Sequence, residues 1–155
     1  MATRNAPSEN DMEARVQEDL VRLEAYRNQL NALLQQHQLL SASRQDHLRA
    51  RESLEGIDRA PPGTELLLPL GGETFVRGSV DLRAPVLIGI GSGVIVEMER
   101  PKVVELLAER AKRIEQAVRE MEGQINTLDD RIQTISRRID ALARSGNAGS
   151  NVGGN

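Results

Sequence analysis

Apolar residues between positions 101 and 144 recur at alternating intervals of three and four, and most positions between them are polar or charged. This spacing is typical of the inward-facing line of a coiled coil, called the seam below. An ordinary amphipathic helix usually has a wider apolar stripe and departs from a strict 3.5-residue period over this distance. The sequence therefore predicts a coiled-coil helix over 101–144. Its seam residues are Val104, Leu107, Ala111, Ile114, Val118, Met121, Ile125, Leu128, Ile132, Ile135, Ile139 and Leu142.

A second stretch of helix-forming composition covers residues 11–58, which contain no Pro and no Gly before Gly56. Its seam is less regular, and beyond Leu40 only three large aliphatic residues follow. The seam residues that the spacing indicates are Val16, Leu20, Leu23, Leu30, Leu34 and Leu40, with Tyr26 and Leu33 beside them. The two predicted helices have similar lengths, and this suggests that they pair with each other.

The two helices meet antiparallel if the segment between them folds back on itself. A register in which paired residue numbers sum to about 158 sets Leu23 against Ile135 and Leu30 against Leu128. The same register puts Arg44 near Ile114 and Arg51 near Leu107, so the half nearer the connecting segment is poorly matched. Two explanations remain open. Either a stutter shifts the register there, or another subunit covers Leu106, Leu107 and Ile114.

The connecting segment, residues 60–100, has the composition of short strands and turns. It contains two β-hairpin patterns, one turning at Gly71-Gly72 and one at Gly91-Ser92-Gly93. Two isolated hairpins are too small to bury their own apolar faces. We therefore predict an α+β fold, in which a long antiparallel two-helix coiled coil is joined by two hairpins that complete a β-barrel between subunits. The residues expected in that interface are Leu66, Leu68, Phe75, Val86, Ile88, Ile90, Val94, Ile95 and Val96.

Amino-acid composition and charge argue against several classes of function. Aromatic residues make up 1% of the chain, and this disfavours a ligand pocket. The net charge of -3 lacks the basic surface of a nucleic-acid-binding protein. We therefore expect no nucleic acid as a partner. No stretch is apolar enough for a membrane helix or a signal peptide, so we also expect no membrane partner and a cytoplasmic location. The chain has no Cys, which excludes disulfides and thiol chemistry.

No motif indicates an enzyme, so we expect no catalytic residues, metal or cofactor. The glycines at 89, 91 and 93 resemble a phosphate-binding loop, but a strand follows them where a dinucleotide site needs a helix. His37 and His47 lie ten residues apart without a second cluster of metal ligands. Ser92 lacks the surroundings of a nucleophile and is read as a turn residue.

The order helix, two hairpins, helix resembles the α-type subunit of prefoldin, a holdase chaperone. The segment ELLLPLGGETFVRGSVD, then VLIGIGSGVIVEME, then a helix opening PKVVELLAERAKRIE is similar to the linker region of that family. Two hairpins distinguish α-type from β-type subunits, which carry one. The resemblance covers about residues 11–144.

The resemblance implies a hexamer of two α-type and four β-type subunits, with coiled coils that hold non-native proteins without ATP and pass them to a group II chaperonin. The ends of the helices farthest from the hairpins then bind the client, meaning the non-native protein. Met12, Val16, Ile139 and Leu142 are the favoured contacts, while a plain seam role is favoured for Leu23 and Ile135. The full set of candidate client-binding residues is Met12, Val16, Leu20, Leu23, Ile132, Ile135, Ile139 and Leu142.

An alternative from another class is a homo-oligomeric structural or tethering coiled coil that binds no client. In both interpretations residues 1–10 and 145–155 are expected to be disordered, because they hold few large apolar side chains. The predicted organisation is a first helix over 11–58, an oligomerisation segment over 60–100 and a second helix over 101–144.

Overall fold

The computed structural model describes the backbone of residues 9–79, 81 and 84–149 and the side chains of 10–79, 81 and 84–145. Two long helices flank four short strands in the predicted order. The elements are α1 (Glu9–Arg59), β1 (Glu65–Gly71), β2 (Thr74–Ser79), β3 (Val86–Gly91), β4 (Val94–Met98) and α2 (Arg100–Gly149). The predicted α+β fold of two long helices and two hairpins is confirmed.

The helices are longer than predicted at both outer ends. Helix α1 begins at Glu9, and α2 continues to Gly149, five residues past the predicted end. The remainder of the two segments expected to be disordered, residues 1–8 and 150–155, lies outside the described residues. Pro101 occupies the first turn of α2, where its missing N–H has no helical partner to lose. Neither helix, within the described residues, has the length and hydrophobicity needed to span a membrane.

The chain divides into two compact units. The first contains residues 1–39 with 118–155, and the second contains residues 40–117 with both hairpins. In the first unit, facing residues of the two helices are Asp19 with Arg138, Tyr26 with Arg131, and His37 with Glu122. The residue numbers of each pair sum to 157 or 159, which agrees with the predicted antiparallel register.

The second unit keeps the same register, and no stutter is needed. Arg44 lies 3.7 Å from Glu115, and Arg100 Nη1 donates to the Asp58 carboxylate. These residue numbers again sum to 158 or 159. Of the α1 positions that looked poorly matched in the sequence, Arg44 meets an acidic side chain on the opposite helix, whereas Arg51 pairs with Glu55 of its own helix.

The seam of α1 differs from the prediction. Leu20 and Leu34 are exposed, and Asp19 and Leu33 take the inward positions instead. The corrected seam alternates steps of four and three without interruption, because it accepts polar residues where the prediction looked only for apolar ones. Its buried or half-buried members are Met12, Val16, Asp19, Leu23, Tyr26, Leu30, Leu33, His37, Leu40, Arg44, His47, Arg51 and Leu54.

The seam of α2 is confirmed, since each of its twelve predicted members is buried or half-buried. The most buried side chain in that helix, however, is Val103, which is 1% exposed and lies next to the predicted Val104. Val103 forms a core with Leu107 and Ile88 of β3. Leu107 is therefore covered by the chain's own second hairpin, so of the two explanations left open neither is needed for this residue.

The first hairpin turns one residue later than the predicted Gly71-Gly72, while the second turns within the predicted Gly91-Ser92-Gly93. In the first, Gly72 and Glu73 are the central turn residues, with φ of 56° and 59°, and in the second Ser92 and Gly93 have φ of 51° and 76°. Two successive positive φ values are what the tight hairpin turn with two central residues requires. Each hairpin also has a register irregularity just before the turn, between Pro69 and Gly71 in the first and Gly89 and Gly91 in the second.

Candidate functional site

The side chains near the outer ends of the helix pair become less buried toward the termini. Leu23 and Ile135 are buried in the seam, and Ile132 is half-buried. Beyond them Met12, Val16, Ile139 and Leu142 are all half-buried, while Leu20 points outward and is 42% exposed. We call these four half-buried residues the end group. Their role in binding clients stays a prediction.

One charged residue lies inside the seam between the end group and the buried interior. Asp19 is 5% exposed, and among the described residues it is the only buried polar side chain. Arg138 of α2 reaches across and donates from Nε to Oδ2 at 2.5 Å and from Nη2 to Oδ1. This bidentate contact satisfies both carboxylate oxygens. The hydrogen bond to Asp19 raises the pKa of Arg138 above its usual value.

Sequence reasoning missed this pair, although two signals pointed to it. A step of three from Val16 followed by a step of four to Leu23 passes through position 19, and the register that sums to about 158 brings Arg138 opposite. The predicted seam included the neighbouring Leu20 and not Asp19. An unpaired carboxylate in a seam is costly. This energetic cost is removed only because the register places Arg138 opposite Asp19.

The second hairpin has one face on the helices and one face outward. Ile88 and its cross-strand partner Val96 pack, with Val86 and Met98, against a core completed by α2 and Leu54. Arg110 Nη1 also donates to the carbonyl oxygen of Gly89 at 2.9 Å, which fixes the strand to α2. Ile88 therefore belongs to the core of its own chain, and Val86 and Val96 pack beside it. The assignment of these three residues to an intersubunit interface stays a prediction.

The outward face of the second hairpin carries Leu87 and Ile95, which are 67% and 65% exposed. Ile90 and Val94 near the turn are also exposed. The sequence also marks Leu87 as an apolar residue available for burial between subunits. It alternates with Val86 and Ile88 along β3, so it points away from them.

The first hairpin exposes apolar side chains on both faces. Leu68 and Val76 form a cross-strand pair on one face, and Phe75 lies opposite Pro69 on the other. Leu66 is half-buried. Leu67 and Leu70, which the prediction omitted, are exposed as well. A two-stranded sheet with this much exposed apolar surface is typical of a protein–protein contact.

The histidines are engaged in ordinary helix contacts. His37 Nε2 lies 3.2 Å from Glu122 Oε1, and His47 Nδ1 lies 2.7 Å from the carbonyl oxygen of Ser43. In the part of the chain that the structure describes, no group of three or more metal-ligating side chains is placed to hold an ion.

Comparison with known proteins agrees with this architecture. A family model described as Prefoldin subunit matches residues 26–145. The prefoldin subunit alpha of Archaeoglobus fulgidus is 30% identical over 109 residues, which cover 70% of this chain and 80% of that protein. The prefoldin subunit alpha of Methanopyrus kandleri is 30% identical over 119 residues, which cover 74% and 76%. The chain belongs to the prefoldin family.

The α-type resemblance of this prefoldin subunit is confirmed by those relatives, and solved structures agree with its fold. A filamentous PFD from Methanocaldococcus jannaschii aligns with a TM-score of 0.63 at 19% identity, covering 75% of this chain and 96% of that one. The prefoldin beta subunit from Thermococcus strain KS-1 aligns with a TM-score of 0.55 at 21% identity, covering 82% and 90%. At these identities the likeness concerns the fold alone.

Proposed function

We propose that this prefoldin subunit is part of an ATP-independent holdase, which binds non-native proteins at the outer ends of its helices and delivers them to a group II chaperonin in the cytoplasm. The observation that carries client binding is the change in burial along the seam. Leu23, Met121, Leu128 and Ile135 are buried, whereas the end group is only half-buried. The buried seam residues stop at Asp19 in α1 and at Ile135 in α2, and the described seam residues beyond them are all half-buried, so apolar surface is available at the ends.

Such a surface suits clients of many sequences. Flexible apolar side chains make weak and adaptable contacts, which favours broad binding over specificity. Several subunits acting on one unfolded chain gain from a high effective concentration, so each contact needs little affinity of its own. Neither the weak apolar contacts nor the joint binding by several subunits requires a nucleotide.

We also propose that the subunit assembles with β-type prefoldin subunits as a hexamer of two α-type and four β-type chains. The exposed strands support this proposal, since apolar side chains on both faces of the first hairpin and on the outer face of the second are exposed in the part of the chain that the structure describes. Hairpins of other subunits match that surface chemically, because they supply both backbone partners for the strand edges and apolar side chains for the faces.

The client-binding proposal is tested by replacing all four residues of the end group with Ser. We expect the assembled complex to persist, because the hairpins are untouched. Suppression of aggregation of a chemically unfolded test protein, followed by light scattering without ATP, should weaken on the order of tenfold, since losing about 1.4 kcal/mol of apolar contact has that effect.

The matched control replaces Leu34 and Leu39 with Ser. These side chains are 46% and 72% exposed on α1 and lie outside the end group. If exposed apolar surface anywhere on the helices were sufficient, the control would lose as much activity as the end-group variant, and the proposal would fail. Circular dichroism of both variants checks that the helices remain formed.

The alternative, a homo-oligomeric coiled coil without client binding, is favoured by the same exposed hairpins. Native mass spectrometry of the chain alone and after co-expression with a β-type subunit of its own organism separates the two. A complex of two α-type and four β-type chains supports the hexamer. A homo-oligomer that ignores the β-type chain and does not suppress aggregation supports the alternative.

A further inference from the structure

The Asp19–Arg138 pair stands where the character of the helix pair changes. Inward of it, Leu23 and Ile135 are buried, and outward of it lies the end group. Leu142 of the end group lines the same groove as Asp19 and Arg138, together with Arg15, Glu18 and Arg22. Breaking the contact between Asp19 and Arg138 would therefore free the side chains of the end group before those further along the helices.

The energetics of this contact differ from those of an apolar seam residue. A buried ion pair is often no more stabilising than well-packed apolar residues, because removing both charges from water is costly. Once one partner is lost, however, the remaining buried charge is strongly unfavourable. Asp19 therefore has two acceptable environments, either fully paired with Arg138 or exposed to water with the helix ends apart.

The surrounding charges favour this two-state behaviour. Arg138 has a half-exposed side chain, so it remains hydrated when it leaves the pair. The nearby Arg22 pairs with Glu18 of the same helix at 2.5 Å and not with Asp19. Asp19 accepts its hydrogen bonds from Arg138. The side chain of Asp19, at 7% exposure, has little access to bulk water while the helices are together.

We propose that the Asp19–Arg138 pair is a latch that sets how far the outer ends of the two helices open and so how much of the end group is exposed. This rests on the proposed function only in identifying the end group as the client surface. The latch itself is a property of the helix pair without any client, and it can be measured separately.

The first experiment follows hydrogen exchange of backbone amides in residues 10–18 and 139–144 of the assembled complex without client. Asp19→Asn keeps the shape of the side chain but removes its charge. We expect exchange to accelerate by about tenfold or more, because a poorly satisfied polar group remains in the seam. Arg138→Gln breaks the same contact from the other helix and should have the same effect.

Asp19→Leu is the matched variant that separates a latch from general packing. It loses the ion pair but completes an apolar seam, so exchange should become slower than in the unaltered chain. Exchange within about twofold of the unaltered chain in both Asp19 variants would overturn the latch. Equal acceleration of exchange in both Asp19 variants would also overturn the latch, because the effect would then reflect disturbed packing at position 19.

The second experiment measures aggregation suppression by the same complexes. With the latch weakened by Asp19→Asn, protection of the client should increase, and with Asp19→Leu it should decrease. If exchange responds as expected but protection is the same in all complexes, the latch stands and the end group is not the client surface. That result would contradict the proposed function without touching the latch.

Discussion

An Ile95→Asp subunit should remain folded but fail to assemble, whereas an Ile88→Asp subunit should lose the packing of its second hairpin altogether. The two residues lie on neighbouring strands of one hairpin and differ in the face they occupy. Ile88 is 8% exposed in the core with Val103 and Leu107, and Ile95 is 65% exposed on the opposite face.

The physical reason is where the new carboxylate is placed. At position 88 it is buried without a partner, and this costs several kcal/mol out of a total stability of about 5–15 kcal/mol. At position 95 the carboxylate is in water in the free subunit and costs little. It is desolvated only when another subunit covers the face, so the whole penalty falls on assembly.

Thermal unfolding and native mass spectrometry measure the two effects separately. Ile88→Asp should lower the unfolding midpoint of the isolated subunit, and Ile95→Asp should leave it unchanged while abolishing the hexamer. Leu39→Asp is the control, because Leu39 is equally exposed but lies on α1. A hexamer of normal mass with Ile95→Asp would remove the outer face of the second hairpin from the interface.

The sequence was sufficient to predict the second helix and its seam but not the whole of the first. In α2 the apolar residues keep the seam period by themselves, so spacing alone identifies the buried side. In α1 the period is continued by Asp19, Arg44 and Arg51. Asp19 and Arg44 pair with charged residues far away in the sequence, whereas Arg51 pairs with Glu55 on its own helix. The prediction therefore placed Leu20 and Leu34 in the seam, although both side chains are exposed.

The strands were predicted correctly, but the sequence did not show which face of the second hairpin packs on the chain's own helices. Val86, Leu87 and Ile88 are consecutive apolar residues, so β3 lacks the alternation that tells the inner face from the outer. Both faces of this hairpin are apolar because one packs on the chain's own helices and the other is available to a partner. Periodicity cannot separate two contacts of the same chemistry.

The Asp19–Arg138 pair was missed in the sequence for a related reason. A carboxylate in a seam is normally a sign that the helix ends or that the position is exposed. Only the observed approach of Arg138 makes Asp19 an inward residue. The distal register was predicted well enough to place the two opposite each other, so the missing step was the chemistry of the pair and not its position.

The two hairpins should differ by orders of magnitude in hydrogen exchange when the subunit is alone. The second hairpin is held by the Ile88 core and by the bond from Arg110 to Gly89. The first has Leu67, Leu68, Leu70, Phe75 and Val76 all exposed. An isolated two-stranded hairpin is at best marginally stable in water, so amides of β1 and β2 should exchange nearly as fast as in an unfolded chain.

Assembly with β-type subunits should then protect the first hairpin selectively, slowing its exchange by about a hundredfold or more, a gain of roughly 2.7 kcal/mol or more in local stability. The second hairpin serves as the internal control, because its protection is already present in the free subunit and should change less. If β1 and β2 were as protected as β3 and β4 before assembly, the first hairpin would be stable without a partner. Its exposed apolar faces would then need another explanation, since selective protection is the result that folding coupled to assembly requires.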